Sequence, residues 1–160
     1  EVVHSCANGL GERTGHAALE DLMMGLHILY GYDTPYKLDK IPELGALISE
    51  RANIPIARNK PILGSGNFIR ESGIGIDLVM NDPLVMFGTH PSLTGKSGEV
   101  VLGKKSGKAS VIYKLNEFGL KEASDEQNAA ILDRVKQAGI QKRDILSDDE
   151  FTAIANSVLG

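Results

Sequence analysis

Four side chains that could carry chemistry stand close together near the start of the sequence. Asn8, Glu12, Arg13 and His16 supply an amide, an acid, a guanidinium and an imidazole, and three glycines lie among them. A positioned acid or base can move a proton, and an imidazole can bind a metal ion. The residues also have a structural interpretation, because glycine-rich turns serve left-handed backbone geometry and neighbouring Glu and Arg side chains often form solvated ion pairs.

The flanking segments predict a strand before this loop and a helix after it. Apolar residues, two of them β-branched, occur at Val2, Val3, Cys6 and Ala7 and predict a strand over residues 2–7. A helix is predicted from about Ala17 to Tyr30, ended by Gly31. Its predicted buried stripe consists of Ala18, Leu22, Leu26 and Leu29. In α/β proteins, catalytic side chains collect in the loop that follows a parallel strand. The order therefore predicts a loop that faces a functional site.

Further along, the residue patterns predict short elements with turns between them. Helical spacing and Pro42 in a first turn predict a helix over 41–52, and the mixed pattern of 68–80 favours a broken helix. Short strands are predicted at 84–87 and 99–102. A helix is expected from about Ser106 to Gly119. Ser-x-x-Gln at 124–127 and Ser-x-x-Glu at 147–150 predict capping boxes that start the last two helices, the first of which would end at Gly139.

Composition limits the classes of partner. A formal net charge of -4 argues against binding to nucleic acid or an anionic membrane, which both favour a basic surface. The single cysteine, Cys6, excludes an intramolecular disulfide and is interpreted as a small core residue. No run approaches the ~18 apolar residues of a membrane span, so the cytoplasm is the expected compartment. Since Glu1 stands in the predicted strand, we expect the chain to be the C-terminal part of a longer polypeptide.

Several short motifs occur in an order and spacing that resemble a known superfamily. They are Asn-Gly-Leu-Gly-Glu-Arg-Thr-Gly at 8–15, the run 54–68 around Arg-Asn-Lys-Pro, Glu-Ser-Gly-Ile at 71–74, and Val-Leu-Gly-Lys-Lys-Ser-Gly-Lys at 101–108. Together they resemble the isopropylmalate synthase, homocitrate synthase and 3-hydroxy-3-methylglutaryl-CoA lyase superfamily, and the later motifs are most similar to its synthase branch.

The resemblance implies an α/β fold in which the last βα unit of a TIM barrel is followed by small, mainly helical α+β subdomains. Residues 1–34 would supply the strand, active-site loop and helix of the barrel. Residues 35–103 would form a linker or lid subdomain, and residues 104–160 a helical C-terminal subdomain. The remaining strands of the barrel would lie in a missing N-terminal portion, and the enzyme would be a homodimer.

The resemblance also implies a metal-dependent condensation of acetyl-CoA with a 2-oxo acid, or the reverse carbon–carbon cleavage. The divalent metal, zinc, manganese or magnesium, would be held mostly by residues outside this chain, with His16 as the ligand that the chain contributes. The expected site residues are the catalytic Glu12, Arg13 and Asp77 and the substrate-binding Asn8, Arg70, Glu71 and Ser72.

Three positions depart from the family pattern, and at one of them this sequence has His16 where many relatives have an asparagine. Relatives commonly have a histidine where this sequence has Gly75, and another where it has Arg70. Glycine cannot transfer a proton, so a divergent subunit that serves only in dimerisation or in support of a partner barrel is the alternative expectation. The isolated 160 residues are expected to be inactive in either case.

Overall fold

The computed structural model describes residues 2–160, which divide into two compact units. The first unit contains residues 2–68 and 87–97, and the second contains residues 69–86 and 98–160. The described residues are mostly helical, with one small parallel sheet. Among them, none of the helices combines the length and apolar composition that crossing a bilayer requires.

Two helices form the frame of the first unit. Helix α1 spans Leu19–Tyr30 and ends at Gly31, as predicted, and helix α2 spans Ile41–Ala52 with a proline in its first turn. The unit also contains short 3-10 turns at Ala7–Gly9, Leu38–Lys40 and Pro91–Thr94. Burial of apolar surface stabilises this unit through a small core around Met24, Ile41 and Leu63.

The structure does not form the strand predicted over residues 2–7. Residues 2–5 have no regular secondary structure, and Cys6 makes an isolated parallel bridge with Ala18 before the 3-10 turn begins. A strand is held by a ladder of main-chain hydrogen bonds, and no partner strand runs beside this segment within residues 2–160. The TIM barrel implied by the resemblance is therefore not seen in the described chain.

The predicted buried stripe of α1 is also wrong in this structure. Its buried side chains are Glu20 and Met24, whereas Leu26 and Leu29 are exposed. Residues 20 and 24 lie one helical turn apart on the face that meets the unit's core. An acid was not expected at a buried helical position, because a carboxylate is costly to bury without a partner.

The second unit places a small sheet beside a helical bundle. Strands β1 (Ile69–Arg70) and β2 (Glu99–Val100) pair in parallel, with Ile69 opposite Glu99. The helices are α3 (Ile76–Asn81), α4 (Lys108–Glu117), α5 (Asp125–Lys142) and α6 (Asp148–Leu159). Apolar side chains from α4, α5 and α6, from the segment after β2 and from the loop between α5 and α6 form the core of this unit. They are Leu102, Val111, Leu115, Ile131, Val135, Leu146, Phe151 and Ala155.

Both predicted capping boxes are confirmed, and three other local predictions need correction. The segment 68–80 forms β1, a turn and α3 rather than a broken helix. The strand predicted at 84–87 is a 3-10 turn at Pro83–Val85, because Asp82 caps it by accepting a hydrogen bond from the Leu84 amide. Gly139 lies inside α5, which continues to Lys142, and a Cβ at Gly139 would lie 2.8 Å from the main-chain nitrogen of Lys104.

Candidate functional site

The glycine-rich loop after Asn8 is closed by its own backbone. The Gly15 amide donates to the Glu12 carbonyl at 3.0 Å, and the His16 amide donates to the Gly9 carbonyl at 3.0 Å. Gly15 has φ +91°, and a Cβ there would collide with the Gly9 carbonyl oxygen. Glycine is therefore required at Gly15 by both backbone conformation and space, and the loop has a defined shape.

Three predicted site residues project from this loop. The carboxylate of Glu12 and the guanidinium of Arg13 form an ion pair at 3.2 Å, with side chains 81% and 84% exposed. His16 is also exposed, and its ring lies over Gly11, where a Cβ would collide with it. An ion pair between highly exposed side chains contributes little to stability, so the pairing of Glu12 with Arg13 does little to stabilise the loop.

Asn8 has a different environment from the other loop residues. It adopts φ 59°, its main-chain amide donates to Glu20 Oε2 at 3.1 Å, and its side-chain amide donates to the Gly45 carbonyl at 2.9 Å. A Cβ at Gly45 would lie 2.8 Å from the Leu63 side chain, so this glycine allows the close packing. Asn8 thus ties the start of the loop to both α1 and α2.

Glu20 is the residue of this region that sequence reasoning missed. Its carboxylate is 3% exposed, and Lys60 Nζ lies 3.1 Å from Oε1. Burial raises the pKa of the neighbouring Asp21; Lys60 opposes this shift and Glu20 adds to it. The sequence offered one signal, namely that Glu20 precedes the core residue Met24 by one helical turn.

The second group of predicted site residues lies in a turn of the second unit. Arg70 Nη2 donates to the Ile74 carbonyl at 2.8 Å, and the Ile74 amide donates to Ser72 Oγ at 3.3 Å. Gly75 follows with φ 69° and precedes α3, whose first turn carries the exposed Asp77. Arg70 and Ser72 therefore stabilise the turn through hydrogen bonds within it. Asp77, in the first turn of α3, is exposed to solvent.

The turn is also fixed to the loop before α4. Glu71 Oε1 accepts from the Lys105 amide at 3.0 Å, and Ser106 Oγ, in a residue that is 2% exposed, donates to the Glu71 carbonyl at 3.4 Å. Ser106 Oγ also accepts from the Gly103 amide at 2.9 Å. The buried role of Ser106 was missed, because its Lys-Lys-Ser-Gly-Lys context has the composition of a solvated basic edge.

The predicted site residues thus form two groups, one in each unit. The structure brings Glu12 and Arg13 together in the loop, and Arg70, Glu71 and Ser72 together in the turn. Within residues 2–160, no group of three or more His, Cys, Asp and Glu side chains is arranged to hold a metal ion. His16 can therefore supply at most one ligand of a site that needs others.

Comparison with known proteins identifies homologues over almost the whole chain. The (R)-citramalate synthase of Methanocaldococcus jannaschii is 38% identical over 157 residues, which are 98% of this chain and 32% of that protein. The homocitrate synthases of Methanothermobacter thermautotrophicus and M. jannaschii are each 36% identical over 99% of this chain, covering 40% and 39% of their lengths. The chain thus spans about a third to two fifths of these curated relatives. No protein-family model matches it.

Proposed function

We propose that this chain, a homologue of citramalate and homocitrate synthases over nearly its whole length, is part of an enzyme that condenses acetyl-CoA with a 2-oxo acid. The observation that carries the proposal is the 36–38% identity over 98–99% of this chain. A condensation of this type needs a base that removes a proton from the acyl methyl group and a positive group that stabilises the developing oxyanion.

The exposed residues of the first unit are the ones that we assign to chemistry. The Glu12 carboxylate is open to solvent and has one counter-ion, so it is available to accept a proton. Arg13 would neutralise a carboxylate of the 2-oxo acid when its pairing with Glu12 is exchanged for substrate. In the second unit we assign the turn at residues 70–75 and the start of α3 to the active site. The exposed Asp77 is the carboxylate that we assign to chemistry there.

The substrate-binding residues would act largely through the shape of the backbone. Asn8 holds the loop that carries Glu12 and Arg13, and Glu71 holds the turn that carries Arg70 and Ser72. A loop that is fixed before the substrate arrives loses less entropy on binding. We therefore propose that Asn8 and Glu71 fix the positions of the side chains that contact the substrate.

A divalent metal, zinc, manganese or magnesium, would be held mainly by residues outside the chain. When bound, such an ion polarises the oxo group as a Lewis acid. His16 fits the role of one ligand of a zinc ion best, because an exposed imidazole is a good zinc ligand whereas magnesium prefers oxygen ligands. Metal titration of the full-length protein tests this: His16→Ala should weaken metal affinity, and unchanged affinity and rate would remove His16 from the site.

The test of the reaction is an assay of thiol release from acetyl-CoA with the full-length protein. Pyruvate, 2-oxoisovalerate and 2-oxoglutarate are supplied separately, and release with one of them identifies the 2-oxo acid. Glu12→Gln should abolish release without changing the melting temperature, because the Glu12 side chain is 81% exposed. Glu43→Gln is a matched control, since Glu43 is a comparably exposed acid in an ion pair with Lys40.

The second candidate is a non-catalytic subunit that supports dimerisation or a partner barrel. It is favoured by Gly75, which has no proton to transfer at a position where the family commonly has histidine. A third possibility within the same superfamily is carbon–carbon cleavage. Thiol release with none of the three 2-oxo acids would favour the supporting role, whereas cleavage of a 3-hydroxyacyl-CoA would favour the lyase.

A further inference from the structure

Asn8 stands at the start of the glycine-rich loop that carries Glu12 and Arg13, and its backbone conformation needs support from other segments. Its φ is 59°, which a residue other than glycine adopts at an energetic cost. Such a conformation persists where the surrounding structure fixes it. Because the loop continues directly from Asn8, the direction of the backbone there determines where the two exposed side chains project.

Two hydrogen bonds connect Asn8 to neighbouring helices. Its side-chain amide donates to the Gly45 carbonyl of α2 at 2.9 Å, and its main-chain amide donates to Glu20 Oε2 of α1 at 3.1 Å. The main-chain nitrogen belongs to the N–Cα bond about which φ is measured. The contact with Glu20 therefore acts directly on the conformation that starts the loop.

The burial of Glu20 is compensated by Lys60. The Glu20 side chain is 3% exposed, and a carboxylate is costly to bury without a partner. Lys60 Nζ lies 3.1 Å from Glu20 Oε1 as an ion pair without an aligned hydrogen bond, and Coulomb attraction does not require that alignment. The Lys60 side chain is 21% exposed, so solvent screens this attraction less than it screens a surface pair.

Lys60 is itself fixed by the loop to which it belongs. Its carbonyl accepts from the Gly64 amide at 2.8 Å and from Asn67 Nδ2 at 2.8 Å, and its amide donates to the Ala57 carbonyl at 2.9 Å. A Cβ at Gly64 would lie 2.6 Å from the Lys60 carbonyl oxygen, so glycine there permits the close winding of the chain. These contacts fix the main chain of Lys60 and limit the positions that its ammonium group can reach.

We propose that Glu20 and Lys60 are positioning residues that act on the glycine-rich loop through Asn8. Lys60 holds the buried carboxylate in place, and the carboxylate holds the Asn8 amide. The pair takes no part in the chemistry assigned to Glu12 and Arg13 and acts through the loop backbone. Its effect on the reaction rate rests on the proposed function, whereas its effect on the loop backbone does not.

Two double variants of the full-length protein separate the hydrogen bond from the ion pair. Glu20→Gln combined with Lys60→Met removes both charges and keeps a side-chain oxygen that can accept from the Asn8 amide. Glu20→Met combined with Lys60→Met removes the charges and the acceptor with side chains of similar length. The two variants therefore differ in whether position 20 can accept this hydrogen bond.

Hydrogen exchange over residues 8–16, measured by mass spectrometry, reports on the loop without the reaction. The variant that lacks the acceptor should exchange at least ~5-fold faster than the variant that keeps it, because one hydrogen bond is lost. Its kcat for thiol release should fall by up to ~10²-fold, since a misplacement of about 1 Å can cost that much. The variant that keeps the acceptor should retain kcat within about 3-fold of the wild type, a rescue that packing alone would not give.

A control variant and a measurement on the wild type complete the test. Lys40→Met combined with Glu43→Gln removes the charges of an exposed ion pair in the same unit and should leave exchange and kcat within about 2-fold. In the wild type, the Asn8 amide should exchange at least ~10-fold more slowly than in an unstructured peptide, as NMR would show. This last measurement decides the question if both double variants unfold.

The proposal would be overturned by a freely exchanging Asn8 amide in the wild type, by equal exchange in the two double variants, or by an equal effect of the control. It would also be overturned if the wild type releases thiol and the two double variants have equal kcat. Absence of thiol release by the wild type would instead contradict the proposed function. The exchange measurements would then still decide whether the pair fixes the loop.

Discussion

Replacement of Gly73 by alanine should separate the predicted catalytic turn from the loop that supports it. A Cβ at Gly73 would lie 2.5 Å from Gly107 Cα and 2.8 Å from its nitrogen. Non-bonded carbon atoms pack at about 3.5 Å or more, so the two main chains must move apart by roughly 1 Å. Gly73 does not have a positive φ, so an alanine backbone is allowed there and the effect isolates the close contact.

The expected cost follows from the backbone nature of the contact. Because neither Gly73 nor Gly107 has a side chain that could rotate away, the strain of ~1–3 kcal/mol that is typical of overpacking should be fully felt. The hydrogen bond between the Lys105 amide and Glu71 spans the same junction and should weaken with it. If local opening carries this cost, amide exchange should accelerate about 5- to 150-fold in the turn and the loop.

Hydrogen exchange measured by mass spectrometry over residues 69–75 and 101–107 provides the local assay. If the turn also positions the substrate, a displacement of about 1 Å should reduce kcat by up to ~10²-fold. Gly88→Ala is the matched control, since a Cβ there would meet nothing within 4 Å and Gly88 does not have a positive φ. Unchanged exchange in Gly73→Ala, or equal acceleration in Gly88→Ala, would refute the reasoning.

Three further predictions concern stability. Lys114→Met should destabilise the second unit by about 1–2 kcal/mol, less than a fully buried ion pair would lose, because the partners Glu117 and Asp148 are 40% and 64% exposed. Burial lowers the pKa of Lys114, but its bonds to these carboxylates outweigh burial and raise the pKa above 10.5. The stabilisation is therefore intact below pH 10.5 and is lost as the pH rises through the folded-state pKa. Unfolding curves measured at a series of pH values would detect this loss. Ser147→Ala removes the cap of α6 and should cost ~1 kcal/mol in urea unfolding, and a change below a few tenths would contradict the capping assignment. Arg13→Gln should change unfolding by less than ~0.5 kcal/mol, and a larger loss would give the exposed loop pair a structural role.

Local signals predicted helix starts well and failed where the outcome depended on distant residues. The capping box of Ser124 and Gln127 depends on only four residues of sequence, and it formed. Strand β1 could not be foreseen from 68–80, because its partner β2 lies about thirty residues later in the chain. Gly139 was predicted to end α5 as a local helix stop, but the glycine serves a contact with Gly103 and Lys104. Short-range patterns do not contain such contacts.

The candidate site shows the same division between local and distant causes. The sequence placed Glu12, Arg13 and His16 in a glycine-rich loop, and the structure has such a loop. It did not reveal Glu20 or Ser106, since a buried acid and a buried hydroxyl become favourable only when partners such as Lys60 and the Glu71 carbonyl are nearby. Those partners come from segments more than thirty residues away, so the residue spacing within one segment could not predict them.

The partners of the predicted site residues separate reactive groups from supporting groups. Asn8 and Glu71 use their polar atoms on main-chain groups of neighbouring segments, whereas Glu12 and Asp77 remain exposed. Glu71 Oε1 holds the turn to the Lys105 amide, so a change at this side chain would also disturb the position of the turn. Substitution of Glu71 should therefore change exchange and kcat together, as in Gly73→Ala, whereas substitution of Glu12 should change kcat alone.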